Sequence, residues 1–274
     1  MKRATIIRII NGTESLRRDM YERFAPFVPA AFSKDLYVGG RLDLPMEENS
    51  NELTNALKYA HEKNLSPKLF SCVYYSNGEL DKIPFFEMRL LSPLEKEGTS
   101  ALDYGTAYEN ECPICHLGGT PLADVCVDRK FIRPNASIGH LLPDIFVSDE
   151  VKNLIVAHGL TGVTFQHKVI DWKKRELKPI SVMSVHNRLP PMHETVWKDN
   201  ESICAMCGRR SFFIRSEIRY KEADLQNTMD FNITQEYLDA WKIPAIIVSA
   251  KVRKCFIKNK VRAGFIPITI LAGK

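Results

Sequence analysis

Apolar and polar positions change period several times along this chain, and each change marks a predicted element. In ENSNELTNALKYAHEKN, residues 48–64, Leu53, Leu57 and Ala60 fall on one helical face, and Ser50 and Asn51 stand where an N-cap is needed. That spacing predicts a helix with a single buried stripe. LFSCVYY, residues 69–75, and PFFEMRLL, residues 84–91, are dense in aromatic and branched side chains and read as strands. The SNGELDKI between them carries an Asn77-Gly78 turn signal, so the two strands are expected to form a hairpin. The acidic, glycine-containing stretch that follows, residues 92–108, is the expected boundary between a mixed α+β region, 1–103, and a second body, 104–274.

The second body contains a repeat. PDIFVSDEVKNLIVAHGLTGVTF, residues 143–165, aligns with PAIIVSAKVRKCFIKNKVRAGFIPI, residues 244–268. Pro143, Ile145, Val147, Ser148 and Val151 match Pro244, Ile246, Val248, Ser249 and Val252 at a constant offset of 101, and the copies drift by one position near Gly162 and Gly264. In each copy an apolar strand ends at a serine that can cap the next helix. Val151, Leu154 and Ile155, or Val252, Cys255 and Phe256, then paint one helix face. A glycine turn leads on to a β-rich run. Two copies are too few for a solenoid, so the pattern predicts a pseudo-symmetric α+β body built from two strand/helix/strand units.

Composition narrows the class. With 45% hydrophobic and 26% charged residues, the 274-residue chain can bury a core, and no apolar run approaches the roughly 18 residues of a membrane span. The N-terminal MKRATIIRIINGTESLRRDM lacks the apolar stretch of a secretory signal, so the expected location is the cytosol. Charge is uneven: residues 1–137 hold 17 Lys+Arg against 19 Asp+Glu, and residues 138–274 hold 21 against 14. The basic half, with Arg209, Arg210 and the acid-free KVRKCFIKNKVR of 251–262, raises the prospect of phosphate or acidic partners. An ordinary solvated amphipathic helix explains the same residues.

Seven cysteines include two CxxC pairs, Cys112/Cys115 in ECPICHLGG and Cys204/Cys207 in ICAMCGRR. A CxxC turn offers two thiolates while its backbone amides point toward the sulfurs, and two such turns complete the tetrahedron zinc prefers. Gly208 after Cys207 suits the turn; His116 stands in the matching place after Cys115. One structural zinc held by Cys112, Cys115, Cys204 and Cys207 is therefore the leading reading, with a zinc-ribbon-like site joining the two repeat units. A redox CxxC would open a helix beside a βαβ unit, and the CxxCH of residues 112–116 also has the form of a haem attachment site. A zinc deaminase pattern is absent, since Glu111 rather than proline precedes Cys112 and no HxE lies upstream. Cys126 and His140 could each replace a ligand, although packing roles suit both. His61, His186 and His193 read as surface histidines, and no Walker A loop, GxGxxG, HExxH or GxSxG occurs.

The two widely separated CxxC knuckles, each followed by a strand, a serine-capped helix and a glycine turn, resemble the bacterial double-CXXCG motif family. Cys112, Cys115, Cys204, Cys207 and Gly208 carry the resemblance, with LTGVTF at 160–165 as a weaker echo. It covers about residues 104–274, and His116 departs from the family's glycine. The resemblance implies a non-enzymatic immunity protein that binds and neutralises a cognate bacterial toxin. The rival expectation is a zinc-ribbon protein that binds nucleic acid through its basic half.

Overall fold

The computed structural model describes residues 2–28, 37–38, 41–90, 112–115, 121–128, 137–141, 144–196, 198–214, 216–238 and 243–272. The chain divides into two compact units, Met1–Lys82 with Arg215–Glu217, and Ile83–Ile214 with Ile218–Lys274.

The first unit is an antiparallel sheet covered by helices. Its elements are β1 (Lys2–Ile9), α1 (Glu14–Phe24), β2 (Tyr37–Val38), β3 (Arg41–Glu47), α2 (Asn51–Glu62), β4 (Lys68–Tyr74) and the single turn α3 (Asn77–Leu80). The strands lie in the order β2-β3-β1-β4. The helix expected at 48–64 is α2, and Ser50 Oγ caps it by accepting from the Leu53 amide at 3.0 Å. Its inner face buries Ala56, Tyr59 and Ala60 against Ile7, Leu42, Leu44 and Met46 of the sheet, with Leu53 and Leu57 packed at the margin.

The hairpin expected from residues 69–91 does not form. β4 pairs antiparallel with β1, while the next strand, β5 (Phe85–Leu90), joins the second unit. The reason lies in Ser76-Asn77-Gly78-Glu79. The Glu79 amide donates to Ser76 Oγ at 3.3 Å and the Ser76 amide donates to the Glu79 carboxylate at 2.8 Å. This reciprocal capping starts a helical turn where an Asn-Gly hairpin turn was expected. The compact units divide at Lys82/Ile83, and residues 92–108, where the sequence suggests a boundary, lie outside the described residues.

In the second unit the strands of the first half are β6 (Val125–Cys126), β7 (Ile138–Leu141), β8 (Asp144–Ser148), β9 (Val163–Thr164), β10 (Lys168–Ile170) and β11 (Glu176–Val185), with α4 (Asp149–Ala157) between β8 and β9. Those of the second half are β12 (Lys198–Ile203), β13 (Arg210–Ile214), β14 (Arg219–Lys221), β15 (Phe231–Leu238), β16 (Ile243–Ser249), β17 (Ala263–Pro267) and β18 (Thr269–Leu271), with α5 (Ala250–Lys258) after β16. One sheet runs β6-β10-β11-β8-β7 with β9 also on β11, a second runs β12-β13-β15-β16-β5-β17, and β14 and β18 pair in parallel as a two-stranded sheet.

The repeat is structural as well as sequential. Ser148 Oγ accepts from the Val151 amide and Ser249 Oγ from the Val252 amide. Each helix ends with a residue in the left-handed region, Gly159 at φ 56° and Lys260 at φ 57°, and the next amide returns to the helix: Leu160 to the Ile155 carbonyl and Val261 to the Phe256 carbonyl. Val151 and Ile155 are buried in one copy, Val252, Cys255 and Phe256 in the other.

The central strand of each half lies outside the aligned repeat: β11 follows its partners in the chain, whereas β5 comes from ahead of both CxxC pairs. β8 and β9 both pair with β11, and β16 and β17 both pair with β5. The registers agree: Ile145 faces Met183 as Ile246 faces Met88, and Val163 faces Val185 as Ala263 faces Leu90. In chain order β5 precedes Cys112 and β11 precedes Cys204. If each repeat begins at its central strand, the two repeats have exchanged those strands.

The halves also meet at a hydrogen-bonded junction after α4. The Asp230 carboxylate accepts from the Thr161 amide at 3.0 Å and from Ser249 Oγ at 2.7 Å, with Lys251 Nζ at 3.6 Å. The Phe231 amide donates to the Thr161 carbonyl at 3.0 Å. Gly162 sits in this junction at φ 93°, and a Cβ there would lie 2.1 Å from the Phe231 carbonyl oxygen. Glycine is required by both the backbone angle and the close approach.

Candidate metal centre

The second knuckle is the turn of a hairpin. β12 and β13 pair antiparallel, with Ile203 facing Arg210, and deliver Cys204 and Cys207 at the loop. The Cys204 amide donates to the Arg209 carbonyl at 3.0 Å and the Gly208 amide to the Cys204 carbonyl at 2.9 Å. Gly208 takes φ 67°, a left-handed angle that a glycine adopts without penalty and that closes the loop directly after the cysteine. The first knuckle, Cys112-Pro113-Ile114-Cys115, is likewise a turn.

The two knuckles converge although 88 residues separate Cys115 from Cys204. All four Sγ atoms lie within 4.8 Å of one another, with Cys112 to Cys204 at 3.8 Å and Cys115 to Cys207 at 3.6 Å. Metal–sulfur bonds of about 2.3 Å directed to the corners of a tetrahedron give sulfur–sulfur edges of about 3.8 Å. A disulfide requires about 2.05 Å. The spacing is thus that of a four-thiolate metal cage, and none of the six cysteines whose side chains are described is in a disulfide.

The electrostatics repeat from knuckle to knuckle. The amides of Cys115 and Ile114 donate to the Cys112 sulfur and hold its thiol below the ordinary cysteine value against the opposing effect of desolvation. At the same positions of the second turn, the amides of Cys207 and Met206 donate to the Cys204 sulfur and bring its thiol down to about 6. Fixed amide dipoles aimed at sulfur favour the thiolate, the form a cation binds. A cationic side chain joins this pair of turns. Burial works against the charge of Arg209, but Tyr237 and Cys207, the latter also accepting a hydrogen bond from the guanidinium, raise its pKa above the usual arginine value. Arg209 therefore places a positive charge beside the cysteine cluster.

Other sequence candidates stand apart. Cys126, half-buried in β6, is not a member of the four-cysteine cluster. His140 lies in β7, but its side chain, like His116, is outside the described residues. His186 bonds Thr164 Oγ1, tying β9 to the end of β11, and His193 Nδ1 lies 2.9 Å from Thr195 Oγ1; both are part of local structure. Arg210 faces Glu201 at 3.7 Å across the knuckle hairpin. Of the basic residues noted in the sequence, those of 251–262 are left with the most exposed charge.

Two contributors were not read from the sequence. Arg209 stood out only as a basic residue, although its place directly after Gly208 is what brings it to Cys207. The equivalence of β5 and β11 was also missed. Its signal is the shared Pro-x-x-x-Met of PFFEMRL (84–90) and PISVMSV (179–185).

The sequence matches no protein-family model and no curated protein.

Proposed function

We propose that this is a non-catalytic binding protein whose second unit is held together by one structural zinc ion on Cys112, Cys115, Cys204 and Cys207. The observation that carries the proposal is the convergence of four sulfurs from two knuckles within 4.8 Å of one another, with two cross-knuckle pairs at 3.8 and 3.6 Å. Four protein ligands close the coordination sphere, whereas a catalytic zinc keeps a position open for water or substrate. The softness of four thiolates selects zinc or iron over magnesium or calcium. Zinc, with no redox chemistry of its own, suits a clamp between two repeats.

The partner class follows from the resemblance to the double-CXXCG family: a cognate bacterial toxin, bound and neutralised in the cytosol. No described helix is long and apolar enough to cross a membrane. The test is to express the protein with the product of any adjacent toxin gene. A stable stoichiometric complex that relieves growth arrest supports the reading. Unrelieved toxicity from a folded, metal-loaded protein contradicts the immunity function while leaving the clamp intact.

A further inference from the structure

We infer that the exposed face of α5 and the turn after it, formed by Lys254, Lys258, Lys260 and Arg262, is a docking surface for the phosphate backbone of duplex nucleic acid. The inference stands on the pseudo-symmetry of the second unit and is independent of the toxin reading.

The two repeats supply an internal control. α4 and α5 have the same serine cap, the same buried face and the same left-handed termination. Whatever packing and capping demand of this unit is therefore already met by the residues of α4. At the four positions in question the first repeat carries Asn153, Ala157, Gly159 and Thr161, all uncharged. The second repeat carries four cations, all exposed, and residues 250–262 contain no acidic residue. Lys251 reaches Asp230, but Lys254, Lys258, Lys260 and Arg262 make no ion pair among the described residues.

Lys260 adds a second observation. It occupies the left-handed position at φ 57° where the first repeat has Gly159 at 56°. A side chain with a Cβ is disfavoured at that angle, and glycine would satisfy the backbone better. A lysine held there against local preference points to a use for its ammonium group.

The chemistry of the face favours phosphate over an acidic protein. Its copy-specific feature is charge, since the exposed apolar residue on α5, Ile257, is matched in the first repeat by the still more exposed Val156. Protein interfaces are depleted in lysine and need an apolar core. Lysine is a good point-charge partner for phosphate, and Lys254 and Lys258, one helical turn apart, present charges side by side.

The full-length, zinc-loaded protein is titrated against a fluorescein-labelled 20-base-pair duplex of mixed sequence, followed by anisotropy at 50 and 200 mM salt. With about four phosphates neutralised, affinity falls roughly a hundredfold between the two conditions. The variant Lys254→Asn, Lys258→Ala, Lys260→Gly, Arg262→Thr places in α5 the residues that the first repeat already tolerates, and it loses this salt-dependent binding. A milder pair, Lys254→Gln with Lys258→Gln, lowers the salt exponent by about 2 and guards against a folding defect, with far-UV circular dichroism as the check. Absence of saturable duplex binding at 50 mM salt overturns the inference. So does unchanged binding by the folded variants, or tighter binding to polyglutamate than to the duplex.

Discussion

Met88 and Met183 occupy one position in two halves of the same unit: Met88 faces Ile246 and Met183 faces Ile145, residues related by the repeat. Met88 lies on β5, ahead of the first CxxC pair, and Met183 on β11, ahead of the second, and each strand is the shared partner of the two strands that flank a repeat helix. Their side chains are 3% and 2% exposed. Met88→Ala and Met183→Ala should each cost about 2–4 kcal/mol by leaving a cavity in a sheet core. Trp172 lies in the second unit, so its fluorescence during urea unfolding, read beside far-UV circular dichroism, follows that unit's transition. An unmoved midpoint for Met88→Ala would show that β5 is not part of that unit.

Two glycines close together in sequence should respond very differently. At Gly159 an added Cβ meets nothing within 4 Å, so Gly159→Ala carries only the left-handed backbone penalty, about 1 kcal/mol. At Gly162 the same atom would lie 2.1 Å from the Phe231 carbonyl oxygen. The backbones of the two repeats must then separate, and Gly162→Ala should lower stability by more than 3 kcal/mol, with loss of the Phe231–Thr161 hydrogen bond. Equal destabilisation by the two substitutions would refute the tight junction.

Asp230 makes the junction sensitive to acid. Burial alone would raise its pKa, but hydrogen bonds from Ser249 and Thr161 and the Lys251 charge bring it below the ordinary aspartate value. A depressed folded-state pKa contributes stability that is fully present above the unfolded value of about 3.9 and is lost as pH falls through the folded value. Asp230→Ala should therefore cost about 1–3 kcal/mol at pH 7. The gap between variant and parent should narrow steadily below pH 4. Urea midpoints at pH 7, 5 and 3.5 provide the measurement, and a gap that widens in acid would contradict the assignment.

The cysteines divide into ligands and bystanders. Cys112→Ser or Cys204→Ser should abolish metal retention and unfold the second unit, because about 10 kcal/mol or more of thiolate–zinc binding is coupled to folding in such sites. That is comparable to the stability of a whole domain. Cys126→Ser should keep one metal per chain, since Cys126 lies outside the cluster. Metal analysis of the purified variants separates the two groups. Retention by Cys204→Ser, or loss by Cys126→Ser, would require a different ligand set.

Much of the second unit was legible in the sequence because its signals are local. The serine caps and the helix faces each follow from residues within about one turn of one another, the 101-residue offset repeats those same local signals, and the cysteine spacing pointed to a shared site. Pairing partners were not legible in the same way. SNGE read as a hairpin turn because Asn-Gly is a strong two-residue signal, yet the Ser76–Glu79 capping pair outcompeted it. Once that turn became helical, β5 was released to a partner strand more than 150 residues away, beyond the reach of any local rule. Asp230 likewise gave no sequence signal, since its role depends on Thr161 and Ser249 arriving from different repeats.

The central claim is that a metal on four cysteines clamps the two repeats of the second unit. Native mass spectrometry of the purified chain, with tryptophan fluorescence recorded as a chelator is added, tests it most directly. The expected result is a mass increment of one zinc ion per chain, and unfolding of the second unit in step with its removal. A protein that is metal-free yet folded, or that keeps its fluorescence unchanged after the metal is gone, would contradict the claim.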